Sequence, residues 1–191
     1  MGFSGVLIAN RGEIAIRVAR AAADAGIRSV AVYAEDDAES LHTRKTDEAL
    51  PLRGKGAAAY LDGEQIIRLA REANCDAIHP GYGFLAENAD FAQRCAEEGI
   101  TFVGPSAATL RLFGDKVAAR ALAQEADVPV LPGTPTAVDL DGARAFFESL
   151  GPGAAIMLKA VAGGGGRGTR AVTRAEDLEP AFQRCQSEAK A

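Results

Sequence analysis

Cysteine is scarce. Cys75, Cys95 and Cys185 are the only three in 191 residues, far apart and with no C-x-x-C spacing. That usage argues against a zinc site or a disulfide framework and fits reduced thiols in a cytosol. Long apolar runs are missing too, and none approaches the roughly 18 residues of a membrane span. The N-terminus enters a strand-like run at Val6–Ala9 without the basic start and apolar stretch of a secretory signal. The expected location is cytoplasmic. Nor is there an excess of basic residues: the net charge is −5. A nucleic-acid partner is thereby disfavoured, because phosphate neutralisation needs a Lys/Arg-rich face. A single nucleotide is still allowed, since a few cations and backbone N–H groups hold one. No internal repeat is visible.

What remains is the composition of a soluble globular protein, 48% hydrophobic and 25% charged, enough to bury a sizeable core. Short apolar runs alternate with amphipathic stretches. Val6–Ala9, Ser29–Tyr33, Asp76–His79 and Thr101–Gly104 read as buried strands. Glu13–Ala25, ending at Gly26, and Gly63–Ala73, capped by Asp62, read as helices, as does Ala86–Glu98. Strand–helix–strand order of this kind predicts right-handed crossovers and a Rossmann-like α/β domain with a parallel sheet.

The character changes near residue 113. A helical stretch, Thr109–Ala126, is broken near Gly114. Then Val128–Pro135 carries three prolines in eight residues and reads as a connector. Helix 139–150, strand Ala155–Val161, a glycine-rich turn, strand Arg170–Thr173 and a helix from about Arg174 form a smaller α+β unit. The expected division is a domain over 1–113, a helical connector over 114–135 and a second unit over 136–191. The chain stops in a polar helical run without a cap, and truncation is the expected reason.

Four successive glycines, Gly163, Gly164, Gly165 and Gly166, precede Arg167 and Gly168 between two predicted strands, with Lys159 on the first. Glycine lacks Cβ, so backbone N–H groups can turn toward a phosphate, and Lys159 can add a point charge. The alternative is a hairpin loop without a ligand. The run is not a Walker A loop, because no Lys-Ser/Thr follows it. A dinucleotide fingerprint is also missing from the first strand–helix turn, where Asn10-Arg11-Gly12-Glu13 stands instead.

A second segment, His79-Pro-Gly-Tyr82-Gly83 with Glu87 and Asn88, begins at the carboxyl end of a strand, where ligands gather in open α/β sheets. Glu87 and Asn88 serve equally as helix caps, and a lone His79 is more often structural than catalytic. Arg11 and Glu13 read as a turn in which Arg11 pairs with a nearby carboxylate and Glu13 favours the helix dipole. Arg17 and Arg20 share a helix face and are either solvated or set against another subunit. Lys116 opens a helix, where a cation is slightly unfavourable. The acidic run Glu35–Glu39 reads as a solvated loop.

Together these segments resemble the biotin carboxylase family. The resemblance rests on Ile8–Ala15, Ile78–Leu85 with Glu87-Asn88, Phe102–Pro105, Gly114–Val117, and Lys159 with Gly163–Gly168, in that order. It implies an ATP-grasp ligase whose N-terminal domain is followed by a small lid. ATP, Mg²⁺ and biotin on a carrier domain are the implied cofactors, and bicarbonate and a carboxyltransferase component the implied partners. Lys116 and Lys159 would bind ATP phosphates under the Gly163–Gly168 loop. His79, Tyr82 and Gly83 would border biotin and bicarbonate, and Arg17 and Arg20 would contact a homodimer partner. The implied reaction is the biotin carboxylase step of an acyl-CoA carboxylase in fatty acid metabolism; the resemblance is shared with pyruvate carboxylase and related enzymes, and it leaves the final carboxyl acceptor open. Thr169 departs from the methionine of many members. The family's metal-binding carboxylates and catalytic residues lie beyond residue 191, so no catalytic or metal-binding residue is assigned here and the piece is expected to be inactive. Two other readings stand beside this one: an ATP-grasp ligase of the carbamoyl-phosphate synthase type, and a non-catalytic nucleotide-binding or assembly module.

Overall fold

Four residues, Val6-Leu7-Ile8-Ala9, explain most of the first unit. In an extended chain successive side chains point to opposite faces. Ile8 packs with Ala15, Val18 and Ala19, and Val6 with Ala22 and Ala77, whereas Leu7 and Ala9 join a separate, larger cluster. A strand apolar on both sides needs cover on both, which a parallel sheet with crossover helices supplies. The computed structural model describes residues 2–160 and 168–189. Cα packing divides the chain into Met1–Arg111 and Leu112–Ala191.

The first unit runs β1 (Gly5–Ile8), α1 (Gly12–Asp24), β2 (Arg28–Tyr33), β3 (Glu48–Pro51), α2 (Gly56–Ala59), α3 (Gly63–Glu72), β4 (Ala77–His79), α4 (Ala89–Glu97) and β5 (Thr101–Phe102). The strands form one parallel sheet in the order β3-β2-β1-β4-β5. The chain leaves β1 toward one edge and later returns to place β4 on the other side. A crevice therefore opens beyond the carboxyl ends of β1 and β4. Ala15, Val18, Ala19 and Ala22 of α1 cover one face. Ile66, Ile67, Leu69 and Ala70 of α3, with Phe91 and Cys95 of α4, cover the other. Burying a side chain such as Ile66, which has no exposed surface, contributes about 1.5–3 kcal/mol.

Helix ends follow the expected chemistry. The Asp62 carboxylate accepts from Gln65 N at 3.0 Å, and Asn88 Oδ1 accepts from Phe91 N at 2.8 Å. Each such cap is worth about 1 kcal/mol. Gly26 follows α1 at φ +68°.

The first unit differs from expectation at β3, at the start of α4, at the end of β5 and in the acidic run. The sheet has a fifth strand, β3, whose Pro51 is tolerated because β3 lies at an edge. Helix α4 begins at Ala89, because Ala86 N and Asn88 N bond to Gly83 O and Leu85 O in successive turns and Asn88 is the cap. Strand β5 stops at Phe102. The acidic run is not simply solvated: Glu35 and Asp36 accept from Gly54 N and Gly56 N, and Asp37 is the partner of Arg11.

The second unit contains the end of α5 (Ala107–Gly114), then α6 (Lys116–Glu125), α7 (Leu140–Ser149), β6 (Ile156–Lys159), β7 (Thr169–Val172) and α8 (Leu178–Ala189). The break near Gly114 is real, and Asp115 caps α6 through Val117 N and Ala118 N. The last helix begins at Leu178, later than expected, because a single 3-10 turn occupies Ala175–Asp177. β6 and β7 pair antiparallel, with Lys159 opposite Thr169. Ile156, Val172 and Leu178 form a small core with Leu140, Phe146 and Phe147 around it.

Candidate functional site

The loops after β1 and β4 lie side by side because their strands are neighbours. Ala9 N donates to His79 O at 2.9 Å, one residue past the end of β1. Asn10 comes next and is 3% exposed. Its Nδ2 amide donates to Pro80 O at 2.7 Å and to Tyr82 O at 2.9 Å. Its Oδ1 accepts from Arg11 N at 2.9 Å. One buried side chain therefore satisfies two carbonyls of the facing loop, groups that would otherwise be costly to bury.

Two glycines set the path of that loop. Gly81 has φ +65° and Gly83 φ +66°, both left-handed. At Gly81 space adds a second constraint, because a Cβ would stand 2.8 Å from Asn10 Nδ2 and 3.0 Å from Ile14 Cγ1. Gly83 has open space where its Cβ would be. Phe84 is left-handed as well, at φ +40°. Its ring stacks on Tyr60 with centroids 5.1 Å apart.

His79 is partly buried at the end of β4. Its Nδ1 accepts from Gly81 N at 3.0 Å, which uses the ring's lone pair on that side and leaves Nε2 to carry the proton. Burial pushes its pKa below the ordinary histidine value. A neutral imidazole already engaged by its own loop shapes that loop. The Tyr82 side chain is 60% exposed. Its hydroxyl donates to Glu13 in the first turn of α1, a bond that raises the phenol's pKa.

Behind the loop lies a set of groups that sequence reasoning did not assemble. Arg11 donates to Asp37 Oδ2 at 3.0 Å and lies 5.5 Å from the Tyr60 centroid and 5.8 Å from that of Phe84. The Tyr60 hydroxyl donates to Asp37 at 2.8 Å and accepts from Ala34 N at 3.2 Å. A carboxylate partner for Arg11 was expected. The aromatic pair was not, because nothing in the sequence links Tyr60 with Phe84.

Arg17 and Arg20 are exposed on α1. Arg17 and His79 also border an apolar hollow of about 370 Å³ with Phe3, Ile14, Ile27 and Val103. In the second unit Lys116 is the first residue of α6, and Lys159 is exposed at the end of β6. Gly168 is left-handed at φ +66°; its carbonyl accepts from Ala160 N at 2.9 Å and its N–H donates to Glu188 at 3.2 Å. Gly163, Gly164, Gly165, Gly166 and Arg167 lie outside the described residues. Among the described residues no group of three His, Cys, Asp or Glu side chains is placed to hold a metal ion, and no helix is long and apolar enough to cross a membrane.

Comparison with known proteins follows the two units. Residues 2–110 match the family model "Biotin carboxylase, N-terminal domain". Residues 115–191 match "Carbamoyl-phosphate synthase L chain, ATP binding domain". Pyruvate carboxylase of Staphylococcus aureus is 52% identical over 97% of this chain and 16% of its own length. The biotin-dependent acyl-coenzyme A carboxylase alpha3 subunit of Mycobacterium leprae is 48% identical over 96% of this chain and 31% of its own. The chain thus spans less than a third of either curated relative. Among solved structures, the biotin carboxylase domain dimer of Hydrogenobacter thermophilus 2-oxoglutarate carboxylase, in complex with MgADP, ADP and bicarbonate, is 42% identical. It superposes with a TM-score of 0.91 over 99% of this chain and 42% of its own.

Proposed function

The chain belongs to the biotin carboxylase family, and from that premise we propose that it is the N-terminal part of an ATP-dependent enzyme that carboxylates biotin with bicarbonate. The observation that carries the reading is the order of the two family matches, biotin carboxylase over 2–110 and an ATP-binding domain over 115–191. The second match bears the name of carbamoyl-phosphate synthase, and by itself it fits that alternative equally well. The first supports the biotin branch.

In this reading residues 1–113 form the N-terminal domain, 114–135 a connector and 136–191 the start of an ATP-grasp lid. Lys116, Lys159 and the run Gly163–Gly168 hold the nucleotide phosphates. Bicarbonate oxygen attacks the γ-phosphorus, ADP leaves, and carboxyphosphate forms. Its carboxyl group then passes to a ureido nitrogen of biotin, with release of phosphate. Fixed cations and backbone N–H groups stabilise the phosphoryl charge as it moves. The loop His79–Gly83 borders biotin and bicarbonate, presenting backbone groups and the exposed Tyr82. Mg²⁺, when bound, would neutralise phosphate charge. The described residues make no site for it.

Arg17 and Arg20 are proposed to meet a second copy, a role that fits their exposure on α1. A biotinylated carrier and a carboxyltransferase complete the proposed assembly. An acyl-CoA acceptor remains the proposal, supported by the Mycobacterium relative. The pyruvate carboxylase likeness is of similar strength, as expected if the transferase component chooses the acceptor. Three buried free thiols fit a reducing, cytoplasmic setting.

The test is ADP release by the intact protein. It should require both bicarbonate and free biotin, and release that ignores biotin would overturn the reading. The 191 residues purified alone should give no turnover, because most of the enzyme domain is missing from them.

A further inference from the structure

We infer that Asn10 is a positioning residue for the biotin-facing loop, acting through the backbone of Pro80–Tyr82 without touching the substrate. The inference rests on the proposed reading that this loop borders biotin. It stands on geometry that the reading does not use. Asn10 is 3% exposed and spends both amide N–H groups on the facing loop, at Pro80 O and Tyr82 O. Its oxygen is held by Arg11 N, which fixes the amide's orientation. The residues it ties are 70 and 72 positions away in sequence.

The bonds fall on either side of Gly81, whose left-handed backbone brings its α-carbon close against the same Asn10 amide. Side chain and glycine therefore form one fitted contact. The loop cannot relax toward β1 without collision, and it cannot lift away without leaving two buried carbonyls unpaired. Gly83 and Tyr82 hang from the outer end of the tethered segment. Gly83 has open space beside its α-carbon and Tyr82 is 60% exposed, so neither is fixed by packing of its own. Their placement is set on the inner side by the tether, at Tyr82 by its hydroxyl on Glu13, and on the outer side by the bond from Ala86 N to Gly83 O and the stack of Phe84 on Tyr60.

The replacement that isolates this role is Asn10→Asp. It keeps shape and the acceptor for Arg11 N but sets a carboxylate oxygen against two carbonyl oxygens. Assayed at pH 8 in the intact carboxylase, N10D should raise the KM for free biotin about tenfold, the scale of losing one to two hydrogen bonds. The KM for ATP and kcat at saturating biotin should stay within about twofold, because the tether holds the loop after β4 of the first unit and the proposed nucleotide groups belong to the second. A second signature follows from protonation. A carboxyl buried against carbonyls titrates high, and its neutral form has one O–H to donate. The ratio of mutant to wild-type biotin KM should therefore narrow as pH is lowered from 8 to 6. Asn10→Ser, which has no group long enough to replace the amide, should show the raised biotin KM without the pH rescue.

An N10D biotin KM within twofold of wild type overturns the inference. So does a parallel loss in ATP KM and kcat in both variants, which would mark Asn10 as a general element of folding. A wild-type enzyme whose ATP cleavage ignores biotin would instead overturn the functional reading, and this inference with it.

Discussion

Arg11 and Asp37, 26 residues apart, form an ion pair at 3.0 Å that joins the loop after β1 to the loop after β2. The same guanidinium lies over Tyr60 and Phe84, and so reaches the loop after β4 as well. Three loops at the carboxyl edge of the sheet thereby converge on one guanidinium. Burial pushes the Asp37 carboxyl upward. Hydrogen bonds from Tyr60, Arg11 and Ser40, with the charge of Arg11, more than offset that, and its pKa falls below the ordinary value.

Asp37→Ala should therefore destabilise the first unit by about 1–3 kcal/mol, since the buried Tyr60 hydroxyl and the Arg11 guanidinium lose their acceptor. A depressed carboxyl stabilises the fold above its unfolded pKa, and that contribution fades as pH falls toward the folded value. Urea unfolding should show the mutant deficit at pH 7 shrinking near pH 3. A deficit independent of pH would exclude the ion pair as its cause.

Gly81→Ala and Gly83→Ala form a matched pair. Both place Cβ on a left-handed backbone, at about 1–2 kcal/mol each. Only Gly81 adds a collision, with Asn10 and Ile14. The unfolding midpoint should fall further for Gly81→Ala than for Gly83→Ala, and equal shifts would mean the close approach is relieved at no cost.

Histidine titration should shape stability near neutrality. His42 has no exposed surface, and its Nε2 donates to Val32 O at 3.2 Å. Burial lowers the pKa of both His42 and His79 below the ordinary 6.5. Below that value the unfolded chain binds protons that the native state refuses, so stability present above pH 6.5 is lost as pH falls. Unfolding free energy measured from pH 7.5 to 5 should decline, and His42→Gln should flatten the slope. An unchanged slope would remove His42 from the account.

The thiols should be silent in the native protein. Cys75, Cys95 and Cys185 are all buried. Burial raises all three pKa values, that of Cys95 to about 12. The thiolate is the reactive form. A disulfide reagent at pH 8 should therefore find no fast-reacting thiol until denaturant is added, then three per chain. A fast native reaction would show local opening.

Charge deletion in the second unit tests the nucleotide role. In the intact enzyme Lys159→Gln and Lys116→Gln should each raise the KM for ATP roughly tenfold or more, the scale of a charge-assisted hydrogen bond. Thermal stability should hold for Lys159→Gln, whose side chain is exposed on a two-stranded edge. An ATP KM unaffected by either change would sink the phosphate assignment.

Local order was written in the sequence. Apolar runs at β1, β2 and β4, the helical period of α1 and α3, the cap at Asp62 and the break at Gly114 depend on residues within a turn or two of one another. Burial on both sheet faces makes those runs unmistakable. Chemical kinship was legible in the same way, through the His79–Gly83 segment and the glycines after Lys159. Tertiary structure alone decided the rest. The edge strand β3 has weak local character and exists because β2 offers it free hydrogen-bonding groups. Helix α4 starts at Ala89 because the turns of the loop after β4 occupy the residues before it. Asn10 meets Pro80, and Arg11 meets Asp37, Tyr60 and Phe84, only because parallel crossovers bring the same ends of distant strands together. No spacing within a single segment encodes that encounter.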